Sequence, residues 1–105
     1  MDEIIQKERK FNHDRDWEQF HTPVNLAKSI VIEAAEIMEC FQWSEQCKDL
    51  NALQEEIADV MLYCIQLADT LGLDPLEIMK DKIEKNNRKY PVEKAKGNAK
   101  KYNEL

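Results

Sequence analysis

Glycine and proline are nearly missing: the chain of 105 residues holds two of the first and three of the second. Both residues punctuate turns and strand ends, so their scarcity disfavours a β-rich or low-complexity chain and favours a compact helical one. Cysteine is scarce as well. Cys40, Cys47 and Cys64 are odd in number and show no C-x-x-C spacing, which supports neither a disulfide framework nor a zinc site. They are expected to be reduced thiols, at least two of them buried. No apolar run reaches the roughly 18 residues of a membrane span. The opening Met1-Asp-Glu-Ile-Ile-Gln-Lys lacks the basic-then-apolar order of a secretion signal, so a cytoplasmic protein with no membrane partner is expected.

A surplus of positive charge is also absent. The net charge is −6, which argues against a protein that coats a nucleic-acid polymer, because such binding draws on Lys and Arg contacts to phosphates. The charge is uneven, however. Residues 82–101 carry eight Lys or Arg against two acids, a local +6 that leaves −12 on the remainder. An acidic site facing a basic segment can hold a metal and a polyphosphate together, while a solvated helix end with cations matched to its dipole explains the same run. The length bounds the chain to a single domain, 1–105, with 92–105 as a polar, lysine-rich and weakly ordered tail.

What is present is acid in an ordered pattern. Glu33-Ala-Ala-Glu36 and Glu56-Ile-Ala-Asp59 each lie inside an apolar stretch of helical length. Spacing of i, i+3 puts each pair on one helix face. Two such helices packed antiparallel would gather four carboxylates at one level, where like charges repel unless a cation sits between them. Hard oxygen ligands suit Mg2+, with Mn2+ as the other candidate, and Mg2+ takes phosphates or waters as its remaining ligands. Taken singly, each glutamate reads first as an ordinary solvated helix acid.

The helices themselves are legible. Residues 2 to about 16 form a first, thin amphipathic helix on the outside, with Ile4, Ile5, Glu8, Phe11 and Arg15 at helical spacing. Thr22-Pro23 starts a second, expected to run to about residue 42, with Leu26, Ile30, Ile37, Met38 and Phe41 as core. Asp49 or Asn51 caps a third that runs to Leu71 before the stop at Gly72; Leu53, Ile57, Val60, Met61, Cys64, Leu67 and Ala68 form its apolar face. Glu56, Asp59 and Tyr63 share a bordering stripe, so these acids are expected to be partly buried. Asp74-Pro75 opens a fourth helix to about residue 89, with Leu76, Met79 and Ile83 inward and Lys82, Asn86 and Lys89 on another face. Trp17, Phe20, His21 and Trp43 lie near helix ends; aromatics there act as core lids, or around a charged site as a base pocket.

Taken together, Arg15-Asp-Trp-Glu-Gln-Phe-His21-Thr-Pro-Val-Asn25, Glu33-x-x-Glu36, Phe41-Gln-Trp43, Gln54-Glu-Glu56-x-x-Asp59-Val-Met-Leu-Tyr63 and Lys82-x-x-x-Asn86-x-Arg88-Lys89-Tyr90-Pro91 resemble the MazG-like all-α nucleoside triphosphate pyrophosphohydrolases, nearest the small dCTP pyrophosphatase type. The likeness covers roughly residues 11 to 91. Ala34-Ala35 stands where relatives often have a glycine, which leaves the acids unchanged.

The resemblance implies an all-α, four-to-five-helix antiparallel bundle, with an active site formed between protomers of a homodimer or homotetramer. It implies Mg2+ held by Glu33, Glu36, Glu56 and Asp59; on chemical grounds one of these carboxylates orients the attacking water, with Glu36 the choice and Glu56 the second catalytic acid. It places Trp17, His21, Trp43 and Tyr63 around base and sugar, and Lys82, Asn86, Arg88 and Lys89 on the phosphates. The implied reaction cleaves a nucleoside triphosphate, dCTP or a modified dCTP first, to the monophosphate and pyrophosphate as nucleotide-pool house-cleaning. Broad hydrolysis of many nucleoside triphosphates is the alternative, and a non-enzymatic helical dimerisation module a further one. A di-iron bundle is disfavoured, because such sites want Glu-x-x-His and both histidines, His13 and His21, lie upstream of the acids.

Overall fold

A computed structural model describes residues 2–104, with Tyr102 described by its backbone alone; Met1 and Leu105, the ends of the expected domain, lie outside the described residues. Among those residues the fold is all-helical, without a strand. Its helices are α1 (Asp2–Asp14), α2 (Pro23–Glu39), α3 (Leu50–Thr70), α4 (Pro75–Lys89) and α5 (Val92–Ala95), with 3-10 turns at Glu18–Phe20 and Tyr102–Glu104. No described helix is long and apolar enough to cross a membrane.

Local chemistry sets the helix ends. The Thr22 side chain accepts from Asn25 N at 3.2 Å and Pro23 fills the first turn of α2. Asp49, rather than Asn51, caps α3 by accepting from Ala52 N at 3.0 Å, and Asp74 caps α4 by accepting from Leu76 N at 2.9 Å. Gly72, at φ 70°, closes α3: its N–H reaches Asp69 O at 3.1 Å and that of Leu73 reaches Ala68 O at 2.9 Å. The same motif ends α1 short of the expected residue 16, with Asp16 in glycine's place at φ 54°. Trp17 N then bonds Asn12 O at 3.0 Å and Asp16 N bonds His13 O at 3.0 Å. Aspartate tolerates this left-handed conformation better than most residues.

The chain divides into two compact units, Met1–Leu73 and Asp74–Leu105. Within the first, α2 and α3 pack as an antiparallel pair: Glu33 meets Glu56 and Asp59 at mid-helix, while Cys40 meets Cys47 beside the connecting loop. Helix α1 lies against α3. Arg9 Nε donates to both carboxylate oxygens of Asp69, at 3.1 and 3.0 Å, and Gln66 Nε2 donates to Glu8 Oε1. The buried apolar residues are Ile5, Leu26, Leu53, Ile65 and Ala68, with Leu26 only 1% exposed.

Several expected core positions are not core. Met38 is 69% exposed, and Phe41, Ile57 and Met61 are exposed too. The apolar face of α3 is wider than α1 and α2 can cover: Leu53, Ile65 and Ala68 turn under them, while Ile57, Met61 and Cys64 fall on the far side. For the same reason the thiols are less buried than expected, Cys40 and Cys47 being half-buried and Cys64 exposed. Helix α2 ends at Glu39, and residues 40–42 unwind into the connection. In the second unit Leu76 is half-buried but Met79 and Ile83 are exposed, since a 15-residue helix and the 4-residue α5 form no core deep enough to take them. The tail carries more regular structure than expected: Pro91 starts α5, with Lys94 N bonding Pro91 O at 3.0 Å.

Candidate active site

The antiparallel seam does what the i, i+3 spacing calls for. Carboxylate oxygens of Glu33 on α2 and of Glu56 and Asp59 on α3 all lie within 4.8 Å of one another. Glu36, one turn along α2, stands against Glu56. Glu33, Glu36 and Glu56 are half-buried, the first two on the stripe of α2 that also carries Leu26 and Ser29; Asp59, expected to be partly buried, is exposed because its side of α3 borders an open cavity.

Crowding shows in the proton affinities. Hydrogen bonds to Glu36 and Glu33, burial, and the charges of the same two acids push the Glu56 carboxyl up to about 7 from an ordinary 4.5. Glu56 as a hydrogen-bond partner draws Glu33 down, but burial together with Glu36 and Asp59 outweighs it, so Glu33 also ends above its ordinary value. The cluster thus retains protons that isolated carboxyls would lose. One oxygen, Glu56 Oε2, is buried with no hydrogen-bond partner. An all-carboxylate donor set with an unpaired buried oxygen fits a hard divalent cation, which would replace the shared protons.

Beside the cluster lies a cavity of about 350 Å3, walled by Phe11, Trp17, His21 and Tyr63 among others. The Phe11 and Trp17 rings meet edge to face at 5.5 Å, and Trp17 and His21 at 6.3 Å. Asp59 belongs to both features: it is one of the clustered carboxylates and part of the cavity wall. Burial, then the charges of Glu33, Asp59 and Glu8, push the Tyr63 phenol up, so it stays a neutral hydroxyl. Burial likewise raises Glu8, partly offset by a hydrogen bond from Asn12.

The sequence-based site therefore comes together in part. Glu33, Glu36, Glu56 and Asp59 meet on the seam; Trp17, His21 and Tyr63 share the cavity. Trp43 does not join them. It is 90% exposed in the loop after α2, against a separate hollow that includes Cys40, Cys47 and Asp49. Lys82, Asn86, Arg88 and Lys89 lie on α4 in the second unit, all exposed. Sequence reasoning gave no site role to Glu8, Phe11, Asn12, Leu62 or Gln66, which line the cavity. One signal was available: Gln66 is a polar residue set between Ile65 and Leu67 on an apolar helix.

With this geometry established, comparison with known proteins is informative. The sequence profile of the MazG-like family matches residues 28–105. The chain is similar to dCTP pyrophosphatase 1 of Rattus norvegicus, 37% identical over 114 residues that span 100% of this chain and 67% of that protein. It is similar to dCTP pyrophosphatase 1 of Homo sapiens at 36% over 115 residues, with the same coverage. Among solved structures, a pyrophosphatase from Archaeoglobus fulgidus superposes with a TM-score of 0.80 at 42% identity, covering 87% of this chain and 92% of that one.

Proposed function

The chain belongs to the MazG-like family, and from that footing we propose that it cleaves nucleoside triphosphates between the α and β phosphates, with dCTP or a modified dCTP as preferred substrate. It is a nucleoside triphosphate pyrophosphohydrolase, and nucleotide-pool house-cleaning in the cytoplasm is its role. The observation that carries this reading is Asp59, which joins a cluster of carboxylates suited to a cation to an aromatic cavity of about 350 Å3.

Glu33, Glu36, Glu56 and Asp59 would hold Mg2+, or Mn2+ in its place. When bound, the cation neutralises charge on phosphate oxygens and lowers the pKa of an attacking water. Glu36 orients that water and takes its proton, while Glu56 completes the catalytic pair. Trp17 and His21 contact the base and Tyr63 packs beside the sugar, where a 2′-hydroxyl would be crowded. Lys82, Asn86, Arg88 and Lys89 bind the phosphates and steady the leaving pyrophosphate.

Residues 1–105 act as one domain within a homodimer or homotetramer. The exposed apolar residues of α2 and α3, Val31, Met38, Ile57 and Met61 among them, support self-association. Trp43, exposed on its loop, then serves the nucleotide of a neighbouring protomer.

The test is pyrophosphate release from a panel of the four deoxynucleoside and four ribonucleoside triphosphates, with Mg2+ and with EDTA. Release that needs Mg2+ and is fastest with dCTP is expected. No release from any nucleotide by a protein shown to be folded by circular dichroism would overturn the enzymatic reading in favour of a helical association module.

A further inference from the structure

The chemistry above leaves two buried polar residues among those described unused, Asn12 and Gln66, and of these Gln66 has an unpaired side-chain atom. Gln66, 9% exposed on α3, stands in the wall shared by the aromatic cavity and a smaller one of about 160 Å3 that Ile5, Arg9 and Asp69 also line. Its Nε2 donates to Glu8 Oε1, but its Oε1 is buried and has no hydrogen-bond partner. A buried carbonyl oxygen without a donor is unfavourable, and a methionine would fill the same space without that cost. A donor that arrives with a ligand accounts for it.

Glu8 decides which end of the amide is left over. An amide carries a donor end and an acceptor end, and the Glu8 carboxylate takes the donor end. Turning the amide over would set oxygen against oxygen. The end remaining for a ligand is therefore the acceptor.

We propose that Gln66 is a specificity-determining residue of the base pocket, its Oε1 accepting a hydrogen bond from the exocyclic amino group of the base, with Glu8 as the residue that positions it. This rests on the nucleotide reading given above. Cytosine and adenine present an amino donor where thymine, uracil and guanine present a carbonyl oxygen. Against a keto base two carbonyl oxygens would face each other unpaired, so Gln66 favours amino over keto. The enclosing walls of Phe11, Trp17 and Leu62, not Gln66, separate cytosine from adenine.

The test compares kcat/KM for dCTP, dATP and dTTP in wild type, Gln66→Met and Glu8→Gln, alongside equilibrium binding of dCMP and dTMP. Wild type is expected to prefer dCTP to dTTP. Gln66→Met, which keeps the shape and loses the acceptor, lowers that ratio by about tenfold or more. Glu8→Gln lowers it part of the way, because the freed amide can turn and offer Nε2 to a keto oxygen. A Gln66→Met enzyme that slows both nucleotides equally, with the dCTP to dTTP ratio and the dCMP to dTMP binding ratio unchanged, overturns the inference. Wild type that releases no pyrophosphate yet binds dCMP over dTMP, and loses this preference in Gln66→Met, upholds the role of Gln66 while sinking the hydrolytic reading.

Discussion

Helix α3 presents two functional flanks that are built in opposite ways. Against α2 it gathers acids that repel one another, with Glu33, Glu56 and Asp59 oxygens inside 4.8 Å and a buried Glu56 oxygen lacking a partner. Against α1 it pairs polar groups of opposite character, through the Glu8–Gln66 hydrogen bond and the Arg9–Asp69 ion pair, leaving Gln66 Oε1 free beside a cavity walled by aromatic rings. The first flank is under electrostatic stress of a kind that a cation would relieve; the second is held by paired groups apart from one free acceptor, Gln66 Oε1. The two flanks meet at Asp59.

The comparison breaks most completely at Glu56. Glu56→Ala removes one of the clustered carboxylates proposed to hold the cation, so kcat/KM is expected to fall by roughly 10³-fold or more, since cation chemistry supplies several kcal/mol. Its melting temperature in EDTA should hold or rise at neutral and higher pH, because a carboxylate crowded by Glu33 and Glu36, with one oxygen unpaired, has gone. A folded but inactive variant, judged by pyrophosphate release and thermal melting, is the expected result. Next comes the packing that holds the acids together. Leu26, the most deeply buried side chain, lies on α2 on the same stripe as Glu33, and Leu26→Ala is expected to cost roughly 2–5 kcal/mol of stability by chemical denaturation.

The second flank should respond differently. Trp17→Ala opens the aromatic wall, so KM is expected to rise about tenfold to a hundredfold, as for loss of one base-stacking ring, with kcat changed far less. Steady-state kinetics with dCTP separates the two.

The smallest effect is one of pH. The Glu56 carboxyl, raised to about 7 in the folded chain, binds its proton more tightly there than in the unfolded chain. That proton therefore supports the fold fully below the unfolded value of 4.5, and the support is lost as pH rises through 7. In EDTA the melting temperature should fall between about pH 5 and pH 8, and Mg2+ should flatten or reverse the slope, because cation binding needs the deprotonated acids.

The two flanks also differed in how far the sequence disclosed them. The acid seam was legible because local rules build it: i, i+3 spacing aims Glu33 with Glu36 and Glu56 with Asp59, and a short loop forces α2 and α3 antiparallel. The helix starts at Pro23 and Pro75 and the stop at Gly72 were legible for the same reason, since caps act within a few residues. On the α1 flank Trp17, His21 and Tyr63 were legible through the family resemblance, but the polar contacts behind them were not. Glu8 and Gln66 are 58 positions apart and Arg9 and Asp69 are 60 apart, and no periodicity links residues so distant. The end of α1 was hidden by Asp16 in a role that glycine usually fills. Exposure misled as well. Met38, Ile57 and Met61 are apolar at helical spacing, yet one chain of this size has too little surface to cover them.

The most direct test of the central claim, that the acid seam and the aromatic cavity act on one nucleotide through Asp59, is phosphorus NMR of dCTP incubated with the protein and Mg2+. The expected spectrum shows dCMP and pyrophosphate appearing in equal amounts, with no reaction in EDTA or with Asp59→Ala. Release of dCDP and inorganic phosphate, or unchanged turnover by Asp59→Ala, would contradict it.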